Sequence, residues 1–280
     1  MFELYSILRK QFLAIGEWMR SIITLTTDFG VSSPYVAQMK GVILSICRDV
    51  ELIELTHGIA AQNIREGAVV LADVTPRFPA GSIHVAVVDP GVGTARRIVY
   101  AEIGEQRYVA PDNGLLSLLA AREAPRATIT VDNTEFWLPN HSQTFHGRDI
   151  MAPIAAHLAG GVKPQRLGQS AGPLVMLDWP EPTISSHGVA GEILYIDSFG
   201  NLVTNISRED VTRIGEPAAL VVDCGGRRIR GIVSTYGAAL EGEIIALFDS
   251  QERLEIAKVN GNAARELHLE VGERLQVLTE

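Results

Sequence analysis

Apolar and polar positions follow one rhythm in the first part of the chain and another after it. From residue 22 to about 173, short apolar, β-branched runs alternate with stretches whose apolar residues recur every three or four positions. The first run, 22–27, predicts a strand ending at Asp28-Phe29-Gly30. Ser33-Pro34 then supplies an N-cap and a first-turn proline for a helix spaced by Tyr35, Met39, Val42, Ile43 and Ile46. Residues 50–55 predict a second strand, and 65–74 a helix that stops ahead of Pro76. The run 83–88 reads as one apolar stretch, the mark of a strand covered on both faces of a parallel sheet. A strand over 98–103, a helix from Leu115 and an apolar helix over 150–158 continue the alternation. This pattern predicts a layered α/β domain with a largely parallel sheet, whose functional residues sit where strands end.

Beyond Pro173 the texture changes. Pro180, Pro182 and Ser185-Ser186-His187-Gly188 read as a linker. Short strands are expected over 189–196, 202–206, 220–224, 229–233, 244–248, 254–259 and 275–278, separated by Gly, Asp and Asn. That is a smaller all-β domain, a barrel or a sandwich. The expected organisation is an N-terminal extension (1–20), an α/β domain (21–175) and a β-barrel domain (188–280). In the extension, Leu4, Ile7, Leu8, Phe12 and Ile15 share one helical face. It lacks the basic start, apolar centre and small-residue cleavage site of a signal peptide, and reads as an accessory helix or a stretch upstream of a start at Met19.

Composition narrows the classes. With 46% hydrophobic and 20% charged residues among 280, the chain is globular and not disordered. It carries 24 basic against 33 acidic residues, a net charge of −9 without a basic cluster, which argues against a nucleic-acid partner. No apolar run approaches the ~20 residues of a membrane span. Cys47 and Cys224 lie far apart without metal-ligand spacing and read as free thiols. A cytoplasmic protein is expected.

Several positions can carry chemistry. Asp28, at a strand end before a helix, either accepts hydrogen bonds from sugar hydroxyls or satisfies its own turn. Asp89-Pro90-Gly91-Val92-Gly93 puts an acid and two glycines at the mouth of the buried strand; it lacks the signature of a phosphate loop and reads as functional. Arg96 can turn back to pair with Asp89, whereas Arg97 reads as solvated. Ala110-Pro111-Asp112-Asn113-Gly114 reads as a turn and N-cap. His146, flanked by Phe145, Gly147, Arg148 and Asp149 at a helix entrance, is either structural or placed to act on a ligand; Arg148 and Asp149 read as a local pair. In the second domain, Asp197-Ser198-Phe199-Gly200-Asn201 makes a hairpin turn that does not need Phe199, an aromatic free to lie against a base or sugar.

In this order and spacing the motifs resemble the S-adenosylmethionine hydrolases (hydroxide adenosyltransferases), kin of the fluorinating and chlorinating enzymes that use the same substrate. The resemblance runs from residue 22 to the end and rests on five motifs: Thr27-Asp28-Phe29-Gly30, Asp89-Pro90-Gly91-Val92-Gly93, Phe145-His146-Gly147-Arg148-Asp149, Ile196-Asp197-Ser198-Phe199-Gly200-Asn201, and the segment 250–264. It implies hydrolysis of S-adenosylmethionine to adenosine and L-methionine without metal or cofactor, in a homotrimer with active sites between neighbouring subunits. It implies a catalytic set of Asp89, Arg96 and His146, with the guanidinium stabilising hydroxide character while the acid and imidazole orient the water and take its proton. It implies that Asp28 binds the ribose hydroxyls, that Phe199 and Asn201 contact ribose and adenine, and that Tyr236 flanks the base. Asp197 and Ser250 would hold the methionine amine; Glu255, Asn262 and Ala263 fall on the adenine side. The halogenating relatives carry tyrosine where this chain has Asp89 and serine where it has Gly147, differences that disfavour halide as nucleophile.

Other classes predict other outcomes. A metal-dependent hydrolase would use Asp28, Asp89, His146 and Asp149 as ligands. A non-catalytic module would bind the nucleoside without product, and a methyltransferase would release S-adenosylhomocysteine.

Overall fold

The computed structural model describes residues 20–279, so the expected helix of the extension lies outside the described residues. The chain divides into two compact units, the first ending at Leu177 and the second spanning Asp178–Glu280.

The first unit is built on a six-stranded sheet: β1 (Ser21–Thr27), β2 (Val50–Thr56), β3 (Ile83–Val87), β4 (Ile98–Ile103), β5 (Gln106–Pro111) and β6 (Ala127–Thr130), in the order β2-β1-β3-β5-β4-β6. β1 runs parallel to β2 and β3, and β3 parallel to β5, while β4 pairs antiparallel with β5 and β6. Helices cover both faces. On one, α1 (Tyr35–Ile46) and α4 (Ala152–Ala159) pack Met39, Ile43 and Ile154 against Ile23, Leu25, Ile83, Val85 and Val87. On the other, α2 (Ile64–Val74) and α3 (Ser117–Arg122) pack Leu71, Ala72 and Leu119 with Ala86, Val88 and Val99. Alternate residues of one strand thus feed two hydrophobic layers, as its apolar run predicted.

One polar residue interrupts that run. His84 is fully buried between Thr24 Oγ1 (2.8 Å from Nδ1) and Gln106 Oε1 (3.4 Å from Nε2). Burial drives its pKa down to about 4, so it is neutral at pH 7.

The second unit is all β apart from one-turn helices. Its strands are β7 (Thr183–Ser185), β8 (Gly188–Ile196), β9 (Leu202–Ser207), β10 (Leu220–Cys224), β11 (Arg227–Arg230), β12 (Ile232–Val233), β13 (Ile244–Phe248), β14 (Arg253–Lys258) and β15 (Arg274–Thr279). They form a nearly closed, barrel-like sheet in the order β11-β10-β15-β8-β9-β14-β13-β12, with β7 beside β8. Val189, Ile193, Leu202, Val222, Ile256 and Val277 fill it.

Local departures have local causes. The expected linker at Ser185-Ser186-His187-Gly188 is a hairpin in which β7 pairs with β8. Gly231, at φ 71°, breaks the run 229–233 into β11 and β12. Pro34 stands at the N-cap of α1, and Ser33 Oγ accepts the Tyr35 N–H at 3.4 Å. The helix expected over 150–158 begins earlier, as a π-turn over Gly147–Met151. Such wide turns concentrate at functional sites.

Candidate active site

The parallel register sets the site's frame. Thr27 of β1 lies opposite Val87 of β3, so Asp28 and Asp89 follow two neighbouring strand ends at the same sheet edge. Asp89 then enters a turn in which Val92 N–H returns to the Asp89 carbonyl at 3.2 Å. Gly93 holds φ 79°, and a Cβ there would stand 2.5 Å from the Gln143 carbonyl oxygen. Glycine therefore lets this turn close against the loop that leads to His146.

Arg96 joins the two loops chemically. Its Nε donates to both Asp89 oxygens, at 2.7 and 2.9 Å, and its Nη2 also bonds Asp89 Oδ2. The same Nη2 donates to His146 Nδ1 at 2.9 Å. Arginine offers only donors, so Nδ1 accepts and the ring proton belongs on Nε2. Burial, followed by the Arg96 charge, holds the His146 pKa below its usual 6.5 against the opposing pull of Asp89 and Asp149. The imidazole is neutral at pH 7. The three residues singled out in sequence form one hydrogen-bonded group, with the Asp89 side chain 4% and the Arg96 side chain 10% exposed.

A cleft of about 680 Å3 opens beside them, lined by Asp28, Phe29, Gln62, Asp89, Val92 and His146 among others. Arg96 is not among its lining residues; it meets the cleft through Asp89 and His146. Asp28 Oδ2 accepts the Gln62 N–H at 2.7 Å. Phe29, Tyr35 and Phe145 pack edge to face along the wall, with centroids 5.1–5.7 Å apart. Gln62 carries no signal in sequence, and Phe29, Tyr35 and Phe145, though named there, are given no role at the cleft. Gln62 acts through its main chain at φ 66°, which a glutamine does not advertise.

Arg97 is a correction. It reads as solvated in sequence, yet its guanidinium bonds the buried Asp112 and the carbonyls of Ala171 and Pro173. Asp112 is likewise more than a turn residue, since its Oδ1 also accepts the Val175 N–H at 2.8 Å. Arg148 and Asp149 do pair locally, at 2.6 and 2.9 Å, and the Ser142 N–H completes Asp149. Among the described residues no three of His, Cys, Asp and Glu gather as a metal-ligand set. Asp28, Asp89 and Asp149 are each turned to a different partner.

The second unit holds the other predicted residues. Asp197 Oδ1 accepts the N–H groups of Phe199 and Asn201, both at 2.9 Å, and its Oδ2 accepts the Asn201 side-chain amide at 3.0 Å. The hairpin turn expected there is thereby locked, with Phe199 74% exposed at its tip. Gly200, at φ 87°, lets Asn262 approach where a Cβ would stand 2.1 Å from its amide carbon. Asn262 caps the one-turn helix α5 (Ala263–Leu267) through the Arg265 N–H at 2.7 Å, and Ala263 is fully buried. Tyr236 donates its hydroxyl to Glu255 Oε1 at 2.7 Å. Glu255 is buried, and burial, with the Asp197 and Asp249 charges, raises its pKa despite that bond. Ser250 is exposed after β13.

Comparison with known proteins agrees with both halves of this arrangement. Residues 23–168 match the SAM hydroxide adenosyltransferase N-terminal domain, and residues 191–276 match the C-terminal domain. The (R)-S-adenosyl-L-methionine hydrolase of Thermus thermophilus is 37% identical over 93% of this chain and 100% of its own length. A fluorinase of Actinoplanes sp. is 32% identical, over 69% of this chain and 74% of its own. An uncharacterized conserved protein of Thermotoga maritima superposes with a TM-score of 0.87 at 33% identity, covering 91% of this chain and 99% of that one. With both domains matched and the five motifs in place, the chain belongs to the SAM hydroxide adenosyltransferase family.

Proposed function

We infer that the protein hydrolyses S-adenosyl-L-methionine by attack of water at the ribose C5′, giving adenosine and L-methionine. The substrate's sulfonium leaves as a neutral thioether, so the weak link is the nucleophile. The oxygen–C5′ bond forms as the C5′–S bond breaks, with the bonding pair going to sulfur and one water proton going to the enzyme. We assign that proton to Asp89, because the Arg96 bond to Nδ1 leaves His146 with a proton on Nε2 and makes it a donor that orients the water. Arg96 fixes both groups in one geometry, and its charge, one hydrogen bond away, favours hydroxide character. The observation that carries the reading is the single Arg96 Nη2 that bonds Asp89 and His146.

Asp28 is assigned to the ribose hydroxyls, and Phe199, Asn201, Asn262 and Ala263 to the nucleoside. Tyr236 is assigned to the base, with Glu255 acting through it, and Asp197 and Ser250 to the methionine ammonium. The relatives' name points to the (R) configuration at sulfur, and we assign that epimer here. The reaction needs no metal or cofactor. A homotrimer with active sites between neighbouring subunits is the assembly proposed, supported by the exposed aromatics Phe199 and Tyr236. No helix of the described residues is long and apolar enough to cross a membrane. The free thiols Cys47 and Cys224 suit the cytoplasm.

The test is incubation with each sulfonium epimer, with and without a chelator, and chromatography of the products. Adenosine and methionine from the (R) epimer, undiminished by the chelator, are expected. S-adenosylhomocysteine, binding without product, or loss of activity to the chelator each overturns the reading.

A further inference from the structure

Asp28 enters the cleft from a turn that one residue outside it holds at both ends. Thr27 Oγ1, fully buried at the end of β1, accepts the Phe29 N–H at 3.2 Å and lies 2.9 Å from His57 Nδ1. On the far side of Asp28, the Gly30 N–H donates to the His57 carbonyl at 2.8 Å. His57 is 6% exposed and is not among the residues lining the cleft. Its Nε2 stands 3.9 Å from Glu54 Oε2, and Glu54 pairs with Lys40.

Burial keeps the His57 ring neutral by lowering its pKa from 6.5, so one nitrogen donates and the other accepts. Nε2 makes no hydrogen bond among the described residues, and the charge of the Glu54 carboxylate favours the proton there. That leaves Nδ1 to accept the Thr27 hydroxyl, whose lone pair in turn receives the Phe29 N–H.

We propose that His57 is a positioning residue for this enzyme: acting through Thr27, it fixes the turn that presents Asp28 and so sets how tightly the ribose hydroxyls are held. The proposal rests on the assignment of Asp28 to the ribose. It separates His57 from the Asp89–Arg96–His146 group, because the relay ends at Asp28 and reaches none of those three. Its chemistry is specific to one ring nitrogen. An asparagine carries its amide where Nδ1 stands, whereas a glutamine carries it farther out, toward Glu54.

The test measures binding of adenosine and of 2′,3′-dideoxyadenosine to the intact protein by calorimetry, together with kcat and KM for S-adenosylmethionine. The wild type is expected to prefer adenosine by at least about tenfold, a preference that Asp28→Ala abolishes. His57→Gln should lose most of that preference and raise KM about tenfold while leaving kcat within about twofold. His57→Asn should restore both values. Thr27→Val, close in shape to the native residue, should repeat the His57→Gln loss and covers the case in which the glutamine variant does not fold. If Asp28→Ala loses the preference while His57→Gln and Thr27→Val keep it, His57 is not a positioning residue. Failure of His57→Asn to restore the preference overturns the relay as well. A preference that survives Asp28→Ala overturns the ribose assignment instead.

Discussion

Three acids in each unit are held in contrasting ways. In the first, carboxylates face guanidinium groups: Asp89 with Arg96, Asp112 with Arg97, Asp149 with Arg148. In the second, Asp197 is held by main-chain N–H groups and an amide, Asp249 by the N–H groups of Gln251 and Arg253, and Glu255 by a phenol. Dipoles satisfy an acid's lone pairs without cancelling its charge. Glu255 accordingly feels the like charges of Asp197 and Asp249. An arginine-paired acid is held in one geometry and suits proton handling; acids held by dipoles attract a cation. S-adenosylmethionine carries two, an ammonium and a sulfonium. On the proposed reading the contrast therefore puts proton handling in the first unit and the hold on the substrate's cations in the second, with the ribose contact of Asp28 a separate, uncharged share of affinity in the first.

The strongest way to break that division is at Arg96. Arg96→Ala should lower kcat by about a thousandfold with little change in KM, because Asp89 and His146 lose their common partner. Arg96→Lys keeps the charge but not the fork, and should still lose about a hundredfold. Equal losses in kcat and in substrate binding would make Arg96 a substrate clamp. The same geometry gives a pH signature. As pH falls through the lowered pKa of His146, the ring gains a proton on Nδ1 and turns from acceptor into a second cation beside Arg96. A pH–rate profile should show activity falling on the acid side, with its midpoint below 6.5.

Stability should respond to pH with opposite signs in the two units. His84 is neutral in the folded first unit down to about pH 4, whereas the unfolded chain takes its proton near 6.5. Its contribution is present above 6.5 and is lost as pH falls toward 4, about 3 kcal/mol in all. Glu255 runs the other way. Its folded pKa is raised, so its contribution is present below the unfolded value of 4.5 and is lost as pH rises through the folded one. Denaturant titrations at pH 4.5 and 7 should show the acid loss reduced in His84→Gln, and the neutral-pH loss reduced in Glu255→Gln. A shared sign would mean that one of the two burial arguments fails.

A smaller effect tests the second unit's share of the substrate. Asp197→Asn keeps the size of the turn-locking group but removes its charge. KM should rise about tenfold, with kcat within about threefold. A drop in kcat comparable to that of Arg96→Ala would mean that the turn also shapes the chemistry.

Much of the frame that carries these effects is legible in the sequence alone. The run 83–88 announced a strand covered on both faces, and the acid at its mouth stood out because a buried strand rarely ends on a carboxylate without reason. What escaped notice depended on partners distant in sequence. Arg97 looks solvated until Asp112 and the carbonyls of Ala171 and Pro173, up to 76 residues away, fold against it. β5 was hidden because Gln106 and Arg107 dilute its apolar signal and its last residue is a proline beside a turn. His84 shows why a strand reads as apolar even with one polar member: its polarity is consumed by Thr24 and Gln106, neither of which is its neighbour in sequence. In the second unit the strands were legible from their punctuation. The roles proposed for Tyr236, Ser250 and Glu255 were not: Ser250 and Glu255 are weak signals by themselves, and only the resemblance to a family singles out Tyr236.

The Tyr236–Glu255 pair gives the finest test of the contrast. Tyr236→Phe keeps the aromatic ring and removes only the hydroxyl that donates to Glu255 at 2.7 Å. That bond lowers the Glu255 pKa, so its loss should raise the pKa further and shift the stability loss described above to higher pH. The bond itself is worth about 1 kcal/mol. KM should change by no more than about threefold if the ring supplies the contact, since stacking does not need the hydroxyl. If KM instead rises as far as in Asp197→Asn, the hydroxyl and the acid behind it read the substrate directly, and Glu255 belongs among the residues that touch it.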